Sequence, residues 1–332
     1  MSGATDNVRY YFSGNLLQGD GVVTQNKFQR LTVRSNTAFT LSDKVTISSP
    51  ASFSHAGTRD VNLSAAYLNA YWAAPIIPAR QGDRYGNTAA NGNVGNPLVS
   101  IDKNNNRLLE NRLQSNIGLD VRPVEWLTLR SAINLDLNFN NRTVYNYQFN
   151  NDATTFVITG GNQFAPTSSL GVMQNNSYRY LWEDTATFHR TFGEKHDLTV
   201  LAGTTTEEGQ TTPLYGSRRG VPAPNQWHLN TGDPNTSVVN PYDPNAPDAG
   251  MLPAKDRRFS VLGRVNYAYA GRYLLTANLR YDASSKFAAN RNESVFPSLG
   301  LGWILSDEDF LKDVKGLSFL KLRGSYGRLG ND

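Results

Sequence analysis

Extended segments of about ten to sixteen residues alternate with connections of two very different lengths along nearly the whole chain. The connections 17–26, 57–106, 140–176, 210–256 and 286–293 follow the odd-numbered segments. Those at 42–44, 123–126, 193–196, 270–272 and 307–316 follow the even-numbered ones. Long falls on odd and short on even, with 17–26 and 307–316 intermediate. A soluble sheet protein has little reason for such regularity. A barrel crossing a bilayer does: its strands cross in about 9–11 residues, the turns on one rim are short and the loops on the other are long. Roughly eleven segments fit that spacing.

Within the segments the side chains alternate. Leu127, Leu129, Ile133, Leu135, Leu137 and Phe139 fall on one face of a strand, interrupted by Ser131, while Thr128, Arg130, Asn134, Asp136 and Asn138 fall on the other with Ala132. Tyr273, Leu275, Ala277, Leu279 and Tyr281 oppose Thr276, Asn278, Arg280 and Asp282. The two end tyrosines of that stripe lie about 27 Å apart at ~3.4 Å per residue, and strand tilt brings this close to the ~25 Å apolar band of a barrel. Ser115, Ile117, Leu119 and Val121, then Leu299, Leu301, Trp303 and Leu305, then Leu320, Leu322 and Tyr326 repeat the pattern. A large soluble β-sandwich also predicts alternation. Length separates the two, since soluble strands run about 5–6 residues and loops above ~12–15 residues are uncommon in compact domains. The architecture expected is therefore all-β, an antiparallel up-and-down meander forming part of a large transmembrane barrel, apolar outward and polar towards a wet lumen.

Composition is compatible with this and narrows the alternatives. Mean hydropathy of −0.47 and the lack of a long apolar run leave no candidate transmembrane helix, but a barrel needs only every second residue apolar. The 16 Tyr and 15 Phe suit strands and interfacial girdles. With no cysteine there are no disulfides and no thiolate metal sites. The net charge of +4 is dispersed, so no nucleic-acid footprint arises. Residues 1–6 are polar and lack the apolar stretch of a secretory signal, so the native N-terminus is expected upstream, and 1–332 is read as one piece of a barrel domain. An odd number of antiparallel strands could not close by itself. One helix is expected, at 306–314, where Ser306 precedes Asp307, Glu308 and Asp309, and Phe310, Leu311 and Val314 supply an apolar face.

No residue pattern points to an enzyme, and no catalytic, cofactor-binding or metal residues are assigned. The histidines 55, 189, 196 and 228 form no ligating motif; His189 and His196 flank one turn and are read as turn residues rather than metal ligands. Asp102 opens a calcium-loop-like stretch, but Arg107 stands where glycine is needed and Leu113 where an acid is needed. Asp233, Asp243 and Asp248 share a proline-rich loop where calcium is a minor expectation. Glu183 with Asp184, and Glu207 with Glu208, point to opposite faces and cannot form local dyads. For polar cargo, the lumen-facing set would be Arg130, Asn134, Asp136, Arg264, Arg280, Asp282 and Arg323. The loop aromatics Tyr71, Trp72, Tyr85, Tyr215, Trp227 and Tyr242 suit either sugar stacking or, more commonly, loop packing. Substrate-contacting residues stay unassigned.

The stretch 256–332 carries a run of specific words. Arg257-Arg258-Phe259-Ser260-Val261-Leu262-Gly263-Arg264 is followed by Tyr273-Leu274-Leu275-Thr276-Ala277-Asn278-Leu279-Arg280-Tyr281-Asp282-Ala283-Ser284-Ser285-Lys286-Phe287. Then come Phe296-Pro297-Ser298, Gly302-Trp303-Ile304-Leu305-Ser306, Glu308-Asp309-Phe310-Leu311 and Leu320-Lys321-Leu322-Arg323-Gly324-Ser325-Tyr326-Gly327. In order and spacing this resembles the barrel of SusC/RagA-type TonB-linked outer-membrane proteins. Gly19-Asp20-Gly21 after 10–17, and Asn96-Pro97-Leu98, are similar more loosely, and 140–256 matches no motif.

The resemblance implies a barrel of about 22 strands, of which this chain is about half, around an N-terminal plug in the outer membrane of a Gram-negative bacterium. It implies import of oligosaccharides or peptides, glycans first, with a SusD/RagB-like surface lipoprotein as partner, energy from the TonB-ExbB-ExbD complex, and no cofactor. Two other readings remain at this point: a passive porin or other outer-membrane barrel, and a soluble β-rich adhesin.

Overall fold

The computed structural model describes residues 1–87, 89, 92, 94–222, 227–239, 253–312 and 314–330. Its strands and helices run in the order β1 (Ser2–Ala4), β2 (Val8–Asp20), β3 (Lys27–Ser42), β4 (Val45–Ser48), β5 (Ala51–Asp60), α1 (Leu63–Trp72), β6 (Arg80–Gln81), β7 (Arg84–Tyr85), α2 (Pro97–Asp102) and β8 (Asn104–Val124). There follow β9 (Leu127–Asn146), β10 (Ser169–Phe192), β11 (His196–Arg219), β12 (Val238–Val239), β13 (Ala254–Tyr269), β14 (Tyr273–Ser284), β15 (Glu293–Ile304) and β16 (Lys321–Gly327). All except the small β6–β7 hairpin join one antiparallel sheet laid down in chain order. Strands β4 and β5 both sit between β3 and β8 in one continuous register. The break between them is Pro50, which has no N–H to give the ladder. Taken as one strand, and without the short β1 and β12, they leave the expected eleven-strand meander.

The longest strands exceed expectation. β8, β9, β10 and β11 span 21, 20, 24 and 24 residues. The connection expected at 140–176 is accordingly only 147–168. Asparagine has a low strand propensity, which makes 138–146 read as loop, yet cross-strand amides hold it in the ladder. Asn104 Nδ2 donates to Asn146 Oδ1 at 2.7 Å, and Asn146 Nδ2 donates to Ser169 Oγ at 3.0 Å. At the other end the turns are tight because consecutive residues adopt left-handed backbone: Gly193 and Glu194 (φ 53° and 60°), and Ala270 and Gly271 (φ 50° and 67°).

The helix expectation is corrected on both counts. In place of a helix over 306–314 there is a 3-10 turn at Leu305–Asp307, followed by isolated turns. Ser306 is buried with its hydroxyl on Asp307, and Asp309, the acid three residues on, is paired with Lys312, so the two do not close a capping box. The helices that do form are α1 and α2, in the first long loop. Asn62 and Asn96 cap them through their side chains, and Pro97 opens α2 at a position where its missing N–H costs nothing.

The register confirms the two faces. Ile117, Ile133, Trp182 and Phe259 lie in one row with Thr206 among them, and Val121, Leu129, Ala186, Ala202 and Leu279 lie in another. These side chains share the convex face. The other face curves inward: a cavity of about 730 Å³ is lined by residues as distant as Tyr11 on β2 and Glu207 on β11. The buried apolar clusters lie at the long-loop end. Val61, Ala66 and Ile101 form one, Tyr85, Val99 and Phe156 a second, and Tyr145, Leu170 and Val221 a third.

Candidate functional site

The inner wall of the sheet carries a belt of ions across β8 to β13. Asp136 receives a bidentate hydrogen bond from Arg112, with Nε to Oδ1 at 2.8 Å, and a third from Gln114 at 3.3 Å. On the next strand Arg179 donates to Glu207 and to both oxygens of Asp256, at 3.0 and 3.1 Å. Arg258 lies 3.7 Å from Glu207 on its far side. Below the belt, Asn116 donates to Asn134 at 2.7 Å, and Asn134 donates to Glu183 at 3.0 Å. Arg130 donates to Asp120 at 2.6 Å. Further along, Arg264 donates to Asn278, and Arg280 to Asp282 and Ser260. Strand alternation accounts for the arrangement, since each of these residues has inner parity in the unbroken register.

At the short-turn rim, the outer face carries aromatic rings in sequence. Trp126 packs on Phe188 (5.5 Å between centroids) and Phe188 on Phe192. His196 packs on Tyr269, Tyr269 on Tyr273, and Tyr273 stacks on Trp303 at 6.2 Å. The Trp303 indole N–H donates to Glu308 at 2.9 Å; that bond and one from Tyr273 hold the Glu308 carboxyl below its usual range. At the opposite end, the Tyr85 hydroxyl donates to Asp102 at 3.0 Å. Burial first, then that bond, pushes the phenol up to about 12.

The expected lumen set is found together on the inner face: Arg130, Asn134, Asp136, Arg264, Arg280, Asp282 and, on the last strand, Arg323. Most of these polar groups are already committed to neighbours on the same face. Arg112, Arg179, Glu207, Asp256 and Arg258 complete the belt and are absent from the expected lumen set, although continuing the alternation along the expected strands places Arg112, Arg179, Glu207 and Arg258 on the inner face. The loop aromatics divide. Tyr71 and Trp72 are 68% and 66% exposed on α1, whereas Tyr85 is buried, and Trp227 stacks on Tyr145 at 5.0 Å. Tyr215 lies along Gly171 on the neighbouring strand. Tyr242, Asp243 and Asp248 lie outside the described residues. His189 bonds Asp197 while His196 bonds Tyr267 from the opposite face, so the two do not converge. Glu207 and Glu208 also diverge: Glu207 joins the belt, and Glu208 takes Lys255 and Arg257 outside.

With this geometry in hand, comparison with known proteins is informative. The family model described as TonB dependent receptor-like, beta-barrel matches residues 51–330. The chain belongs to that family. It is 27% identical to TonB-dependent receptor P26 of Formosa agariphila over 337 residues, covering all of this chain and 32% of the relative. TonB-dependent receptor SusC of Bacteroides thetaiotaomicron is 41% identical over 90 residues, which is 27% of this chain and 9% of that protein. Among solved structures, the RagAB peptide transporter superposes with a TM-score of 0.77 at 18% identity, over 98% of this chain and 36% of that one. The chain thus spans about a third of the length of P26 and of the RagAB chain. Its sheet is a segment of a TonB-dependent receptor barrel in the Gram-negative outer membrane, with the convex face towards lipid, the short turns periplasmic and the long loops extracellular.

Proposed function

We propose that the chain forms about half of the barrel of an outer-membrane importer that is energised through TonB-ExbB-ExbD, holds a plug contributed by other parts of the protein, and takes up oligosaccharides with a SusD-like surface lipoprotein as its lid. The observation carrying this reading is the inner wall, where a belt of amides and mutually paired ions presents hydrogen-bonding groups with little free charge. Such a surface suits neutral, hydroxyl-rich cargo. The exposed rings of Tyr71 and Trp72 at the extracellular end support it, because flat aromatic faces stack on sugar rings. The RagAB neighbour is described as a peptide transporter, which makes peptides the second cargo class to test.

The test uses cells producing the full-length protein. Labelled oligosaccharides and labelled peptides of matched size are supplied with and without the receptor gene, and with and without an intact TonB complex. Oligosaccharide uptake that needs both is the expected result. Peptide uptake alone overturns the glycan assignment. Uptake that persists without TonB replaces the importer with a passive porin.

A further inference from the structure

The inner wall changes character on its β2–β5 side. Alternation turns Arg9 of β2 and Arg30 and Arg34 of β3 towards the lumen. Arg34 shares one cross-strand row with Ser52, Gln114 and Asp136, and Arg30 and Arg9 have the same parity. All three side chains are exposed. None of them is in an ion pair or a side-chain hydrogen bond among the described residues, and Arg30 lies 6.0 Å over the Phe28 ring. Small residues flank them across the ladder: Ala4 and Ala38 beside Arg9, Ser13 and Ser52 beside Arg34, and Ala56 beside Arg30, with Leu17 on its other side. The acids nearby are few. Asp60 at the rim approaches Arg142 at 3.9 Å. Glu110 stands one strand beyond Ala56, and Asp6 lies in the bend between β1 and β2; neither is in an ion pair with these arginines.

The three are evenly spaced in height. Ala38, opposite Arg9, then Arg34 and Arg30 stand four, eight and twelve residues above Ser42 at the periplasmic end of β3. At ~3.4 Å per residue and a tilt near 45° this is about 10, 19 and 29 Å along the membrane normal. Steps of about 10 Å exceed the ~8 Å screening length of physiological salt, so the arginines repel one another little. The cavity of about 730 Å³ joins Arg34 and Tyr11 to the amides of Asn116 and Asn134. The acids that line it, Asp136 and Glu207, are already held by Arg112 and Arg179. Above Arg30, helix α1 follows on β5 and shares an apolar cluster with Val23 of the β2–β3 loop. The exposed rings of Tyr71 and Trp72 therefore belong to the same side of the rim.

We propose that Arg30, Arg34 and Arg9 form a track for the acidic substituents, carboxylate or sulfate, of an oligosaccharide descending through the lumen. The inference rests on the oligosaccharide reading above and narrows it. Hydroxyls meet the paired belt of β8–β13 and acidic groups meet the arginines, which a wholly neutral cargo would leave without partners. Charge complementarity selects the occupant. A guanidinium binds a carboxylate or a tetrahedral oxyanion through two parallel hydrogen bonds. Arginines lining a pore select anions, and low-dielectric walls focus their field on the lumen. Because each stands alone at its height, an acidic chain gives up one contact as it gains the next, which keeps binding weak enough for release.

The experiment uses cells producing the full-length protein and measures half-saturating concentrations for uptake. Two labelled pairs are supplied: an oligouronate with its carboxyl-reduced form, and a sulfated oligosaccharide with its desulfated form. The wild type is expected to take up at least one acidic member at lower concentration than its neutral counterpart, and the pair that shows this identifies the acid. Arg34→Gln is expected to raise the half-saturating concentration of that acidic member about fivefold, and Arg30→Gln with Arg34→Gln about 25-fold, the neutral counterpart being unchanged. Arg34→Lys, which keeps the charge, is expected to retain most of the preference, and a heat-modifiable gel shift confirms that the variants fold. Equal uptake of both members of each pair by the wild type overturns the proposal and leaves the oligosaccharide reading standing. An equal loss of acidic and neutral members in the variants also overturns it, since the arginines would then hold another part of the protein. Uptake of neither pair overturns both.

Discussion

The substitution Ile133→Arg tests the placement of the barrel most directly. Ile133 lies six residues beyond Leu127, where β9 leaves its periplasmic turn, and sits in the outward row between Ile117 and Trp182. Six residues at ~3.4 Å make about 20 Å along the strand, or about 14 Å along the membrane normal at a tilt near 45°. This is the middle of a ~25 Å apolar band, where an arginine costs about 2–4 kcal/mol, equivalent to roughly 30- to 700-fold in the folding equilibrium. The neighbouring substitution Asn134→Arg points into the lumen, beside Glu183, and loses hydrogen bonds to groups that water can reach, a cost of at most about 1 kcal/mol. Both variants of the full-length protein are compared in urea titrations from lipid vesicles. A dry protein core would also penalise Ile133→Arg, so cysteines at the two positions are labelled in parallel. A lipid-soluble reagent is expected to reach position 133 and a water-soluble one position 134. If Ile133→Arg costs no more than Asn134→Arg, or if neither reagent reaches position 133, the reasoning fails.

Three further outcomes follow from individual contacts. Asp184 stands on the outward face between Ser131 and Thr204, among lipid-facing residues, so Asp184→Leu is expected to stabilise the barrel by about 1 kcal/mol in the same titration; destabilisation would mean that something other than lipid covers it. The depressed Glu308 carboxyl contributes stability that is present above its unfolded pKa near 4.3 and lost as pH falls through its lower folded value. Protonation should therefore shift Trp303 emission only below the ordinary glutamate range, a shift absent in Glu308→Gln. Ala270 holds a left-handed conformation that costs an alanine about 1 kcal/mol, and Ala270→Asn is expected to recover most of it as a higher melting temperature.

Much of this fold was legible because alternation and turn length report directly on a sheet with one face in lipid. The stripe from Leu127 to Phe139 and its polar complement could be assigned to faces without knowing any neighbour, since period two leaves one choice of partition. What escaped depended on partners distant in sequence. The Asn-rich ends of β8 and β9 look like loop in isolation and are strand because each amide finds another across the ladder. Ser306 and Asp309 satisfy a capping pattern locally, but Asp307 takes the hydroxyl and Lys312 the carboxylate. Tyr85 and Trp227 have the composition of a sugar platform, and only the loop packing around Phe156 and Tyr145 reveals them as anchors. The belt residues were hidden differently: Arg179 and Glu207 are 28 positions apart, and their contact exists only once β10 and β11 are paired.

The belt itself is poorly explained as a source of stability. Its members are partly exposed, and ion pairs of that kind contribute about 0–1 kcal/mol each. Its electrostatic effect is larger than its energy. From β8 to β13, Arg112, Arg179 and Arg258 are balanced by Asp136, Glu207 and Asp256, three charges against three, so this part of the wall has a dense pattern of donors and acceptors but no net charge, with Arg34 of β3 standing beyond it in the same cross-strand row. A field of alternating signs at such spacing decays within a few Å of the wall, and salt shortens its reach further. A solute more than a few Å from the β8–β13 belt feels little net attraction or repulsion from it. Replacing Arg179 with methionine would leave Asp256 without its partner and Glu207 with only the 3.7 Å approach of Arg258, turning a neutral belt into one with a net negative charge. The inner wall would then discriminate among solutes by charge, a property that its paired construction suppresses.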